Sequence, residues 1–275
     1  ANALNGIGVA YYEMAKYDSA TIYYLKALQI AEKLNLTNVL GKLYLNMGTL
    51  YDVSDKPKEA KRSFFRSIPY NEQMNSMINV AKAYHNIGNI YVQEKNYDSA
   101  WYIYNKALEL NLTLNYPHGI ANAYIGLGDV ADDLGEIKKS NEYFKKAKHY
   151  YLSISDMQGV VISCINLGRN QQQWGNYDAA LQMFDTALLV SREFGFLRRE
   201  AEVYRNYCFL YAEKGDYRQA YEKIRILLAL RDSILDIEKQ NNMAELEALY
   251  ENEKYKAQLL GLNIDKLEKY LALEL

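Results

Sequence analysis

Proline and cysteine are scarce here, with three prolines and two cysteines in 275 residues. So little proline suits a helical chain, because each proline removes a backbone donor that a helix needs. Cys164 and Cys208 lack a Cys-x-x-Cys spacing and fall in different segments, so they read as small buried hydrophobes and not as a disulfide or a metal pair. The three histidines, His85, His118 and His149, are far apart, and no His-x-x-x-His or His-Glu pair puts two ligands on one helical face. No metal or other cofactor is expected. A formal charge of −2 makes nucleic acid a poor partner, since binding it usually needs a net basic face. No run of about 18 apolar residues is present, so membrane attachment would have to come through residues outside this sequence. The N-terminal residues show no signal-peptide pattern, which leaves the compartment open.

What the chain does have is a period. Gly8, Gly48, Gly88, Gly128 and Gly168 stand forty residues apart, and Cys208 continues the series. Ala20, Ala60, Ala100, Ser140, Ala180 and Ala220 keep the same register, as do Tyr24, Phe64, Tyr104, Phe144, Phe184 and Ile224. One supersecondary unit is therefore written six times, over residues 1–231, with 232–275 as a separate C-terminal segment. Hydrophobic residues make up 49% of the chain, enough to bury a large core.

Each unit reads as two helices, which makes the chain all-α. In the first, Leu4, Ile7, Gly8 and Tyr11 share a face, and a polar break near Lys16-Tyr17-Asp18 precedes a second helix from about Asp18 to Leu34. Asp18, Asp98 and Asp178 stand where a side-chain oxygen could cap that helix, and Pro57 opens its equivalent in the second unit. Asn35, Asn75, Asn115, Ser155 and Gly195 recur where the second helix closes, and these residue types tolerate left-handed turn geometry. The recurring glycine and alanine let paired helices approach closely, with the aromatic filling the space beside them. Of 27 tyrosines, fourteen lie at the fourth, eleventh, seventeenth or twenty-fourth position of a unit, where they read as core and not as a stacking surface.

This small-aromatic-small spacing, with Leu or Ile before the glycine and Tyr11, Tyr51, Tyr91 and Tyr211 three residues after it, resembles the tetratricopeptide repeat family. The unit is six residues longer than that family's usual 34, favours tyrosine at the fourth position and lacks the customary proline near its end. The resemblance implies a right-handed superhelix of six 40-residue hairpins followed by a long C-terminal helix, with a concave groove lined mainly by the first helix of each hairpin.

Within that frame the second, fifth, sixth, ninth, twelfth and thirteenth positions face the groove. The sixth carries Gly6, Asn46, Asn86, Gly126, Asn166 and Asn206. An asparagine ladder offers donors and acceptors to the backbone of an extended peptide, as in kinesin light chains, and the two glycines open room instead. The alternative is that these amides satisfy helix ends or water. Lys42, Lys82, His85 and Asn89 make the second and third units mildly basic, Asp129, Asp132 and Asp133 make the fourth acidic, and Arg169 and Arg205 restore positive charge. The carboxylate clamp of chaperone-binding relatives is matched only by Asn5, Asn46, Lys82 and Asn86, with Val9 in a clamp position, so two of its charges are missing. Asp132-Asp133 has no nucleophile or phosphate-cradling loop nearby, and no enzyme is expected.

From Arg231 the text is charged and proline-free. Met243, Leu246, Tyr250, Glu253, Ala257, Leu260, Ile264, Leu267 and Leu271 form a three-four seam, which reads either as a weak homodimer through 243–271 or as a capping helix. Asp232-Ser233-Ile234 and the helix from Ala244 to Lys254 resemble the junction of membrane-anchored bacterial regulators. There an extracytoplasmic array leads through a turn and a helix to a membrane span and a kinase or helix-turn-helix effector. The resemblance implies a sensing or partner-binding region, extracytoplasmic by that likeness and otherwise cytoplasmic. The alternative function is an assembly or co-chaperone-like adaptor without signalling output.

Overall fold

Every twentieth residue from position 15 to position 215 has a positive φ, between 47° at Asn115 and 76° at Gly215. The expected turns at Asn35, Asn75, Asn115, Ser155 and Gly195 are all there, and a second series, Ala15, Asp55, Lys95, Gly135, Gly175 and Gly215, stands midway between them. At each turn the next residue's N–H returns to the helix just ended, as Lys16 N to Tyr11 O at 2.9 Å and Phe196 N to Ser191 O at 2.8 Å. This closure satisfies carbonyls that a helix end leaves bare. Both kinds of turn are thus one device, and it divides the forty-residue period in half.

The computed structural model describes the backbone of residues 1–273, with side chains described to residue 237 and in part to 259. Between turns run α1 (Asn2–Glu13), α2 (Tyr17–Lys33), α3 (Thr37–Val53), α4 (Pro57–Gln73), α5 (Met77–Gln93), α6 (Tyr97–Thr113), α7 (Pro117–Asp133), α8 (Ile137–Ser153), α9 (Met157–Gln173), α10 (Tyr177–Glu193), α11 (Leu197–Glu213) and α12 (Tyr217–Leu273). The described residues contain no strand. Pro57 and Pro117 open α4 and α7, where a missing N–H costs nothing. Asp18, Asp98 and Asp178 do not cap as expected. They lie inside the first turn, favourably near the positive end of the helix, and the cap of α6 is Asn96, accepting from Ser99 N at 3.2 Å.

Hairpins close by setting the aromatic onto the glycine. A Cβ at Gly48 would lie 2.5 Å from the Phe64 ring, and one at Gly128 2.4 Å from Phe144. Phe64, Phe144 and Phe184 are buried completely or nearly so. Tyrosine follows the same logic at Tyr24 and Tyr104, which are buried; at the seventeenth position Tyr97 packs partly buried against the core, whereas Tyr217 is 73% exposed.

The chain divides into two compact units, Ala1–Phe196 and Leu197–Leu275. In the first, each helix packs on the next in sequence, and the odd-numbered helices also touch one another, α1 with α3, α3 with α5, α5 with α7 and α7 with α9. No two even-numbered helices of this unit meet among the described residues. The odd helices are therefore the crowded inner row and the even ones the splayed outer row. In the second unit α11 pairs with α12, and Cys208, in the glycine's register, is buried while Ile224 is 42% exposed. The turn expected at Asp232-Ser233-Ile234 is helix instead: Ser233 Oγ donates to Ala229 O at 3.0 Å and α12 continues without interruption. Met243 is exposed. The rest of the seam, Leu246 to Leu271, and with it the expected homodimer, lies outside the described side chains.

Candidate functional site

The inner row holds a cavity of about 320 Å³ between α3, α5 and the start of α7. Its walls bring together Asn46, Lys82, His85 and Asn86 with Asn111, His118 and Asn122. Helical register explains the first four: on α5, residues 82, 85 and 86 fall three and four apart, and Asn46 occupies on α3 the place of Asn86 on α5. Asn46 Nδ2 donates to Asn5 Oδ1 at 3.0 Å, linking α3 back to α1. Asn86 and Lys82 make no hydrogen bond or ion pair among the described residues, and Lys82 is exposed.

His85 is half-buried, and its Nδ1 has neither a partner nor solvent contact. Its ring lies 5.5 Å from that of Tyr104. Burial, with His118 adding repulsion, pushes the His85 pKa down to about 4, so the ring is neutral at physiological pH. His118 is held differently. Tyr151 OH donates to Asn122 Oδ1 at 2.5 Å, Asn122 Nδ2 lies 3.2 Å from His118 Nδ1, and His118 Nε2 lies 3.5 Å from Asp156 Oδ2. Asp156 also caps α9 by accepting from Gly159 N at 3.0 Å. With Asn122 donating to Nδ1, the proton of His118 sits on Nε2 facing Asp156. One wall of the cavity is thus fixed by a chain running through α7, α8 and the cap of α9.

The other sequence-selected residues lie elsewhere. Asn89 accepts from Tyr104 OH at 2.6 Å and so braces the hairpin core. Asn166 is 8% exposed, its Nδ2 3.5 Å from Asp129 Oδ1, and its Oδ1 accepts from Arg169 at 3.3 Å. Arg169 also pairs with Asp132 at 3.3 Å, and Gln173 donates to the same carboxylate at 3.1 Å. Burial raises the Asp129 pKa to about 7, Arg169 partly opposing it and Asp132 and Asp133 adding to it. In the second unit, Asn206 donates to Glu202 O of its own helix at 2.8 Å, and Arg205 is exposed.

Gly126 corrects a further expectation. It does not open the groove: a Cβ there would lie 2.5 Å from the Tyr104 ring, which is wedged between Gly88 and Gly126. Gly6 does face open space. Sequence reasoning missed Asn111, His118 and Asn122. Asn122 stands at the second position of its unit, a register already assigned to the groove, and was recoverable; Asn111 and His118 flank the turn at Asn115 and carried no such signal.

A larger cavity, about 570 Å³, opens on the outer row between α4 and α6, lined by Phe65, Tyr84, Tyr91, Tyr102 and Lys106. Its cation is already seated on rings, Lys106 Nζ lying 4.8 Å from Tyr102 and 5.7 Å from Tyr84. Among the described residues no group of three or more His, Cys, Asp and Glu is placed to hold a metal ion, and no helix is long and apolar enough to cross a membrane.

An inner row of odd helices with polar side chains facing a groove defines a helical-repeat binding scaffold. Models of the tetratricopeptide repeat match residues 1–38, 79–148 and 161–194, and the chain carries tetratricopeptide repeats. No curated protein matches it. Among solved structures it is similar to the apo form of RapI, at 14% identity and a TM-score of 0.68, covering 86% of this chain and 98% of that one. It is similar to a Rap protein complexed with competence and sporulation factor, at 14% identity and a TM-score of 0.62, covering 85% of this chain and 75% of that one. The tetratricopeptide-sensor protein of the signal transduction ATPases with numerous domains from Pyrococcus horikoshii is similar at 18% identity and a TM-score of 0.68, covering 85% of this chain and 37% of that one. At these identities the likeness is one of fold.

Proposed function

We propose that the cavity between α3, α5 and α7 binds an extended peptide or protein segment, and that the chain is the sensing or partner-binding region of a larger bacterial signalling regulator. The observation that carries the binding site is the pair Lys82 and Asn86, both without a hydrogen-bond or ion-pair partner among the described residues, in one cavity with Asn46 and His85. An amide and an ammonium left free on a groove wall suit the carbonyls of an extended backbone. The Rap structure with competence and sporulation factor and the archaeal sensor support the signalling part, as proteins of this fold that engage a factor or act as sensors.

The test is selection of peptides from a random display library on the full chain, followed by anisotropy measurements with the double variant Lys82→Ala/Asn86→Ala. Loss of one charged and one neutral hydrogen bond should weaken binding about thirtyfold, or about 2 kcal/mol, with helicity unchanged. Equal binding by the variant would remove the cavity from the account.

A further inference from the structure

At one half-buried register, two consecutive repeats differ by an amide. Near the end of α4, Asn71 is buried; its Nδ2 donates to Ser67 O at 2.9 Å and its Oδ1 accepts from Asn79 Nδ2 at 3.2 Å. Forty residues on, at the end of α6, Asn111 takes the place of Asn71 and is 3% exposed, but Gly119 takes the place of Asn79. Asn111 Oδ1 consequently has no partner among the described residues. A third repeat shows that glycine at this register need not leave an acceptor unmet: Gly159 faces the Tyr151 ring, and the Tyr151 hydroxyl is bonded to Asn122.

Asn111 and Gly119 both line the cavity described above, as does His85, whose Nδ1 is the other buried polar atom there without a partner. A buried carbonyl oxygen lacking a donor is unfavourable, and a ligand that supplies one recovers that cost on binding. Lys82 and Asn86, which line the same cavity, offer donors that lack a protein acceptor among the described residues. A single ligand group that carries both an N–H and a carbonyl answers both.

We infer that the cavity selects a carboxamide, the side chain of a glutamine or asparagine in the bound segment, whose N–H donates to Asn111 Oδ1 as Asn79 does to Asn71 and whose carbonyl accepts from Lys82 or Asn86. This rests on the peptide-binding reading. A carboxylate meets Asn111 badly, because it brings acceptors only to an oxygen that needs a donor. Of the basic groups lining the cavity, His85 is neutral, His118 already faces the Asp156 carboxylate, and Lys82 is exposed, where pairing with a carboxylate contributes little and still leaves Asn111 Oδ1 without a donor. An apolar side chain of similar length fills the space but leaves Asn111 unmet. The site therefore discriminates by hydrogen-bond complementarity, which separates an amide from its isosteres more sharply than shape does.

The decisive experiment uses the parent chain. Peptides selected by random display are resynthesised with each glutamine or asparagine replaced in turn by glutamate or aspartate, and by methionine or leucine, and affinities are measured by calorimetry. One amide position is expected at which either replacement weakens binding at least tenfold. In Asn111→Leu, checked for native helicity, the same pair of peptides should differ by less than twofold. Glutamate binding as well as glutamine at every position, or a preference that survives Asn111→Leu, overturns the inference and leaves the peptide-binding reading standing. Failure of the library to yield any peptide overturns both.

Discussion

The inner row of the first unit holds two stretches built from the same repeat positions that end in opposite states. Between α3 and α7, Lys82 and Asn86 have no partners among the described residues and line a cavity. Between α7 and α9, Asn166, the equivalent of Asn86 two repeats later, is enclosed with Asp129, Arg169, Asp132 and Gln173. The difference comes from the ninth position of the preceding repeat. There Asp129 reaches Asn166, whereas Thr49, in the corresponding place before Asn86, gives its hydroxyl to Leu45 O of its own helix at 3.2 Å. A repeated asparagine is thus not a repeated function: its neighbour one hairpin back decides whether it binds a partner or the protein itself.

The largest expected effect tests whether the ladder's glycines belong to the groove or the core. Gly126→Ala drives a Cβ into the Tyr104 ring and should cost about 2 kcal/mol of stability, read by urea unfolding. Gly6→Ala meets no atom within 4 Å and should stabilise by about 0.5 kcal/mol through helix propensity. Similar losses at both would return Gly126 to the groove.

The enclosed stretch has a pH signature. Asp129 has its pKa raised to about 7 when folded, so the folded state holds a proton that the unfolded state releases above about pH 4. Stability from this group is therefore greatest in acid and falls as pH rises toward 7. Asp129→Asn removes the dependence. Its stability relative to the parent should grow by about 2 kcal/mol in its favour between about pH 4 and pH 6, measured by denaturant unfolding at each pH. A difference independent of pH would mean that Asp129 is not desolvated.

The open stretch can be converted into the closed one. Thr49→Asp gives Asn86 the kind of partner that Asn166 has and should weaken a selected peptide about tenfold, or ~1.4 kcal/mol, with little change in melting temperature. Unchanged affinity would show that Asn86 does not contact the ligand.

How much of this was legible follows from where each signal resides. The glycine and aromatic register marks the hairpins because close approach leaves so little choice at Gly48 and Phe64. The turns between hairpins were legible in Asn35, Asn75 and Asn115, residue types that accept a left-handed backbone. Within hairpins the first turn was legible as the polar break near Lys16-Tyr17-Asp18, but the left-handed residue itself was not, because Ala15 and Lys95 are not types that favour that geometry and are held in it beside closing hydrogen bonds such as Asn96 N to Tyr91 O at 2.8 Å. Lys82, His85 and Asn86 were legible together since one helix face carries them. Asn111 and His118 come to the cavity from either side of a turn, so no single-helix periodicity connects them. The internal partners of Asn166 were hidden for the same reason, since Asp129 stands 37 residues before it.

The most direct measurement of the central contrast is calorimetric titration of one selected peptide into Asn86→Ala and Asn166→Ala, with melting temperatures recorded for both. Asn86→Ala should lose about fivefold in affinity (~1 kcal/mol) and melt like the parent, while Asn166→Ala should bind like the parent and lose about 1 kcal/mol of stability. An Asn166→Ala chain that binds more weakly than Asn86→Ala, with its melting temperature intact, would contradict the account.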